Sequence, residues 1–293
     1  MAPALPYIAL AEYIAVILLG TLTVAISTVS LLSTQVAWKQ RSLQTPNRMM
    51  GLFTATAMAM TGTNAVQMVY MAAQWNPYKH EHDTTLMRYL GTVSLITVNS
   101  YEITTLLLTA DRCVFVLWPA QRLKHEKFFF LFNCAAIGIC VVLVSYMGVV
   151  DKIPPKLPDN CWAYGCVFSM VTNEILLAVR ISLSSSNILL NITFLCLLLK
   201  YRKCKLRNRS AMQKFTNHFI IWLFSFHVVF DLSPAIIDLL LRSLKEIYLQ
   251  NYLGPYGVLF ITIDGFFSAV AYNRVLRKIR KVRDIRGQQS QVG

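Results

Sequence analysis

Seven predominantly apolar stretches, at about 7–33, 49–73, 88–110, 128–150, 168–199, 215–241 and 253–272, are separated by short polar and mostly basic segments. Each reaches the roughly 20 residues an α-helix needs to cross about 30 Å of hydrocarbon. Backbone amides in lipid must be paired within their own segment, so each stretch predicts a membrane-spanning helix. The expected fold is an all-α membrane protein. A seven-transmembrane-helix bundle would occupy 1–272, with a cytoplasmic segment at 273–293. In that segment Val275, Ile279 and Val282 recur among basic residues at helical spacing, which predicts a short amphipathic helix lying on the membrane surface. The first stretch has no basic lead and no small-residue cleavage site before it, so it reads as a retained helix.

Composition agrees with this pattern. The chain is 55% hydrophobic and 14% charged, against about 25% charged in soluble domains. Its net charge of +14 would suggest phosphate binding on a soluble surface, but the cations follow the helix ends. Lys39, Arg41 and Arg48 follow the first span, and Arg122, Lys124 and Lys127 the third. The run from Lys200 to Lys214 follows the fifth, and the run from Arg274 to Arg286 the seventh. Only Lys79, Arg88, Lys152, Lys156, Arg242 and Lys245 lie in the alternate loops. The positive-inside rule then puts the N-terminus outside and the C-terminus in the cytoplasm. Anionic membrane lipid, and not nucleic acid, is the expected partner of these charges.

Polar residues inside the spans are costly, by about 2.5–3.5 kcal/mol for a charged one on insertion scales, and mark candidate sites. Arg180, Ser184, Asn187 and Asn191 are spaced so as to share one face of the fifth helix, and His227, Asp231, Pro234 and Asp238 do the same on the sixth. Counting from Lys200 puts Arg180 at the outer edge of the hydrocarbon, level with Asp238. It would there either bridge to Asp238 or hold an anionic group of a ligand. Arg180, Ser184, Asn187, Asp238 and, on the third helix, Ser94 are the candidate ligand-binding residues. Glu102, Asp231 and Asp264 fall near mid-membrane with no Lys or Arg expected at their depth. With His227 they read either as a buried polar network of uncharged, hydrogen-bonding acids or as separate acids, each bonded to a nearby backbone or hydroxyl group.

The seven cysteines divide by position. Cys134, Cys140 and Cys196 read as packing residues within spans. Cys161 and Cys166, in the loop before the fifth span, can close a small disulfide ring or remain reduced. Cys204, in a basic juxtamembrane segment, fits a palmitoylation site. No HExxH, nucleophile elbow or Gly-rich phosphate loop occurs, so neither an enzyme nor a cofactor or metal site is expected.

The segment Leu106-Leu-Leu-Thr-Ala-Asp-Arg-Cys-Val-Phe-Val-Leu-Trp-Pro119 lies at the end of the third helix. It is similar to the Asp/Glu-Arg-Tyr motif of rhodopsin-like G-protein-coupled receptors, which a proline follows at this distance. Leu43-Gln-Thr-Pro-Asn-Arg48 is similar to the family's start of helix 2, and Pro234 to its helix 6 proline. The similarity covers nearly the whole chain. The family's helix 2 acid and helix 3 cysteine are missing, at Ala57 and Met87, so its sodium site and its helix 3 disulfide are not expected. Its helix 7 signature survives loosely, as Ser268-Ala-Val-Ala-Tyr272 or Asp264-Gly-Phe-Phe-Ser268. Short length and eroded motifs resemble the nematode serpentine chemoreceptors. The resemblance implies a plasma-membrane chemoreceptor that couples an extracellular small molecule to a heterotrimeric G protein. It further implies a switch at Asp111, Arg112, Lys214 and Tyr272. Where the family often has an acid facing the arginine this chain has Lys214, so a loose latch and ligand-independent output are expected. A seven-helix transporter using its buried acids for protons is the alternative, although the sequence shows no internal repeat.

Overall fold

A computed structural model describes residues 4–39, 48–76, 83–118, 122–151, 170–205, 211–245 and 255–289. These form seven helices: α1 (Ala4–Lys39), α2 (Arg48–Ala73), α3 (Thr84–Leu117), α4 (Arg122–Val150), α5 (Met170–Lys205), α6 and α7 (Tyr256–Gln289). The sixth, α6, joins Ala211–His227, a π-helical turn at Val228–Leu232 and Ser233–Lys245. Around the bundle α1 packs on α2 and α7, and α2 also packs on α3 and α7. The third helix packs on α4 and α5, α5 on α6, and α6 on α7.

Six of the seven helices are long and apolar enough to cross a membrane, and they make the chain a multi-pass membrane protein. Their large apolar side chains turn outward. Leu18 and Leu22 on α1, Leu131, Val142 and Val149 on α4, and Leu189 on α5 are all exposed, as lipid contact requires and water does not allow. Cys134 and Cys196 share this outward surface, so they do not serve as the packing residues their positions suggested. The exception is α2, whose 26 residues include a buried polar run, Thr54, Thr56, Thr61, Asn64 and Gln67. It packs against α1, α3 and α7, so most of its side chains meet protein, with Val66 and Val69 exposed, and it needs less hydropathy than a helix facing lipid.

Close approach sets the α1–α2–α7 side. A Cβ at Gly20 would lie 2.7 Å from the Thr61 carbonyl oxygen and 2.8 Å from the Ala65 Cβ. One at Gly265 would meet Met60 Cε and Thr61 Cγ2, each at 2.8 Å. Glycine therefore lets both α1 and α7 press against the same turn of α2. The helix ends are tied by polar groups. Asp83 caps α3 by accepting from the Thr85 and Leu86 amides at 2.9 and 3.2 Å. Glu126 Oε1 on α4 accepts from the Arg48 amide at the start of α2, at 2.9 Å. Arg88 lies in α3 and is buried, and its Nε donates to the Gly148 carbonyl at 2.7 Å and its Nη2 to the Asp151 carbonyl. A cation at the open carbonyls ending α4 is a helix cap.

Two boundaries differ from the sequence pattern. The apolar run ends at Ala110, yet α3 continues to Leu117 and closes with the Trp118 amide donating to the Val114 carbonyl. Asp111 and Arg112 therefore sit inside the helix, both buried, and not at its end. After Tyr272 α7 continues unbroken to Gln289, where a separate surface helix was expected.

Replacing Gly20 with Val forces α1 off α2 and should destabilise the fold by about 1–3 kcal/mol. Gly51, whose Cβ would meet nothing within 4 Å, accepts Ala without loss. Thermal unfolding of the two variants in one detergent, followed by circular dichroism, should separate them by a clear fall for Gly20→Val alone.

Candidate functional site

Asp231 is delivered to the bundle interior by an irregularity that the sequence of α6 dictates. Pro234 has no amide hydrogen to give to the Phe230 carbonyl, and its ring crowds that group. The preceding turn opens to π-helical pairing, in which the Ser233 amide donates to the Val228 carbonyl and the Ser233 hydroxyl donates to it as well, at 2.8 Å. The extra residue in the turn rotates the following helix. Asp231, within this turn, is fully buried and faces α5.

There it meets Arg180. The guanidinium donates to Asp231 Oδ1 from Nη2 at 2.7 Å and from Nε at 3.1 Å. The Ser184 hydroxyl, one turn along α5, donates to the other oxygen, Oδ2. The Arg180 side chain is 25% exposed while its partner is 0% exposed, so the pair has an accessible and an inaccessible side. A Cβ at Gly257 would lie 3.4 Å from Arg180 Nη1, so the guanidinium rests against the first turn of α7.

From Asp231 the polar groups continue inward. The His227 ring places Nε2 3.5 Å from Asp231 Oδ2 and Nδ1 3.2 Å from Asp264 Oδ2. A proton on Nδ1 would complete the bond to Asp264, while Nε2 faces both Asp231 and the Asn187 amide. Tyr101 on α3 donates its hydroxyl to Asp264 Oδ2 at 2.9 Å and lies 3.2 Å from the Ser268 hydroxyl. Asn187 donates to the Glu102 carbonyl at 3.3 Å and reaches His227 Nε2 at 3.4 Å. Glu102 is fully buried. Its carboxylate makes no hydrogen bond among the described residues, and its Oε1 lies 4.0 Å from Arg180 Nε. Three carboxyl groups from α3, α6 and α7 thus share one guanidinium and one imidazole.

The geometry corrects two expectations. A basic residue does reach the depth of the buried acids, because the Arg180 stem extends inward from its helix position. The ion pair expected with Asp238 is made with Asp231, two turns deeper on α6. Asp238 is itself buried. Ser94 is placed away from the Arg180 group. Its hydroxyl donates to Asn64 Oδ1 at 2.6 Å, and Asn64 Nδ2 donates to the Thr262 hydroxyl at 3.2 Å, which ties α3 to α2 and α7. That hydroxyl therefore serves as a tie between helices, apart from the Arg180 group.

At the other end of α3, Arg112 Nε lies 3.6 Å from Asp111 Oδ2. Tyr272 is buried and edge-on to Phe219, with centroids 6.1 Å apart. The Lys214 side chain and both Cys161 and Cys166 lie outside the described residues. Between the polar cluster and this end runs a chain of aromatic contacts. Tyr101 meets Phe53 at 5.5 Å, Phe53 meets Phe219 at 5.8 Å, and Phe219 meets Tyr272. Sequence reasoning missed Tyr101, Asn64 and Thr262, and named Ser268 only as part of the helix 7 signature. Asn64 carried a signal, as the polar end of the Ala57, Thr61, Asn64 stripe on α2.

Removing one partner of a buried ion pair leaves an uncompensated charge, at a cost of about 3–5 kcal/mol, whereas replacing both with apolar residues of similar size is often neutral. Arg180→Met and Asp231→Leu should each lower the thermal midpoint in detergent substantially. The double variant should recover most of the loss, giving a large favourable coupling in the double-mutant cycle.

The chain matches no protein-family model and no curated protein in sequence.

Proposed function

We propose that the protein is a rhodopsin-like receptor of the chemoreceptor type in the plasma membrane, with its N-terminus outside. A small extracellular ligand carrying an anionic group would act on it, and a heterotrimeric G protein would bind its cytoplasmic face. The carrying observation is the two-sided Arg180–Asp231 pair, with its guanidinium partly accessible and its acid buried on the π-helical turn of α6. A ligand carboxylate or phosphate would compete with Asp231 for the guanidinium. Release of Asp231 would loosen α6 from α5 at its most irregular point. The Tyr101–Phe53–Phe219–Tyr272 contacts offer a route from that event to the buried Arg112 end of α3. Coupling through such a route requires two alternative packings of α6, which the π-helical turn makes accessible.

The Asp231–His227–Asp264–Tyr101 series is also what a proton relay needs, and it favours a proton-coupled transporter as the second reading. The two readings separate in a heterologous cell. A receptor should give G-protein activation in response to members of a panel of small organic anions, without net uptake. Solute uptake with no G-protein response would replace the receptor reading by the transporter.

Asp231→Asn weakens the hold on Arg180 while keeping the side-chain shape, and should raise ligand-free signalling at matched surface expression. Arg112→Ala should abolish signalling in both backgrounds. A ligand-free output for Asp231→Asn at or below that of the wild type would refute the release mechanism.

A further inference from the structure

The outer face of α6 and α7 carries a groove unrelated to the polar cluster. Its cavity is about 390 Å³ and is lined by Phe219, Trp222, Phe226, Phe267, Arg274 and Lys278, together with small apolar residues of α7. That is within the roughly 300–1,000 Å³ range of small-molecule sites. The groove has two unlike halves. In the first, Phe226 stacks on Phe267 at 5.2 Å and Trp222 tilts against Phe226 at 5.7 Å. Trp222 and Phe267 turn outward, 49% and 38% exposed. Both halves fall within the apolar segments Phe219–Leu241 and Tyr256–Lys278, but Arg274 and Lys278 stand at the end of the second and Phe267 well inside it, so the aromatic half lies nearer the hydrocarbon.

The second half is cationic. Arg274 and Lys278 are one turn apart on the same face of α7 and both are exposed. They lie beyond Phe267 towards the polar end of the helix. Arg277 is turned elsewhere, and its Nε donates to Asn273 Oδ1 at 3.2 Å. Among the described residues no Asp or Glu lines the cavity. An occupant must therefore be apolar where the groove faces the membrane interior and negative where it meets the membrane surface, in that order along α7.

We propose that the α6–α7 groove binds an anionic phospholipid, with one acyl chain against Trp222, Phe226 and Phe267 and its phosphate between Arg274 and Lys278. The site depends only on membrane embedding and stands apart from the receptor reading. The two cations give selectivity for anionic over zwitterionic headgroups, and the aromatic wall fixes the position of the chain. Because the groove bridges α6 and α7, an occupant would restrain their separation.

Trp222 is a built-in reporter. The full-length protein in mixed micelles would be titrated with phosphatidylglycerol or phosphatidylcholine bearing brominated acyl chains, which quench indole emission on contact. Subtracting the same titration of Trp222→Phe isolates the Trp222 signal from the other four tryptophans. The anionic lipid should quench Trp222 at a mole fraction on the order of tenfold lower than the zwitterionic one. The Arg274→Gln/Lys278→Gln double variant should erase that preference, although Arg277, Arg280, Lys281, Arg283 and Arg286 remain. Equal quenching by the two lipids in the wild type would overturn the proposal, and that comparison needs no charge variant to fold. A preference that survives in the double variant would also overturn it, by assigning the selectivity to the basic tail as a whole.

Discussion

A charged side chain inside a membrane bundle is tolerated only when a partner is held in place for it, and the Arg180–Asp231 pair imposes that condition on α5 and α6. With its Nη2–Oδ1 distance of 2.7 Å and a fully buried acid, separating the helices would strand a carboxylate in hydrocarbon. The condition spreads because Asp231 also takes the Ser184 hydroxyl and faces His227, and His227 faces Asp264 on α7. Apolar packing contributes little specificity between helices when lipid is as apolar as leucine. Register on the α3–α5–α6–α7 side is set instead by a few polar contacts that have no substitute in lipid.

The other side of the bundle is held differently. Around α2 the contacts are short and unbranched, with Gly20 and Gly265 admitting their helices to the same turn. Such an interface has one good packing and resists sliding. The polar side is joined through long side chains and a π-helical turn. The molecule therefore combines a half closed by small residues, α1–α2–α7, with one tied by polar side chains, and α7 belongs to both. This division follows from which residues meet at each interface and needs no ligand to be present.

Much of this was legible in the chain, and the failures have physical reasons. The spacing of Arg180, Ser184 and Asn187, and of His227, Asp231 and Asp238, identified the two faces that turn inward. The partner of Arg180 was misread because counting residues from a helix end gives the depth of a Cα, while an arginine places its charge several ångströms away. The π-helical turn changed the direction of Asp231 as well, and Pro234 signals a disturbance without saying which carbonyl is released. Asp111 and Arg112 looked like a boundary because hydropathy drops after Ala110. The helix continues because neighbouring helices bury both residues, a tertiary fact that no local pattern carries. Tyr101 could not be distinguished from ordinary span residues, since its importance lies in what stands opposite it.

Glu102 shows why the polar cluster is more than a clamp. A buried carboxylate with no hydrogen bond to it among the described residues is a standing cost, and it lies 4.0 Å from the same guanidinium that Asp231 holds. Arg180 thus has two acids within reach and satisfies one of them closely. Holding Asp231 fastens α5 to α6, and Glu102 brings α3 within 4.0 Å of the same charge, so one guanidinium draws three helices together.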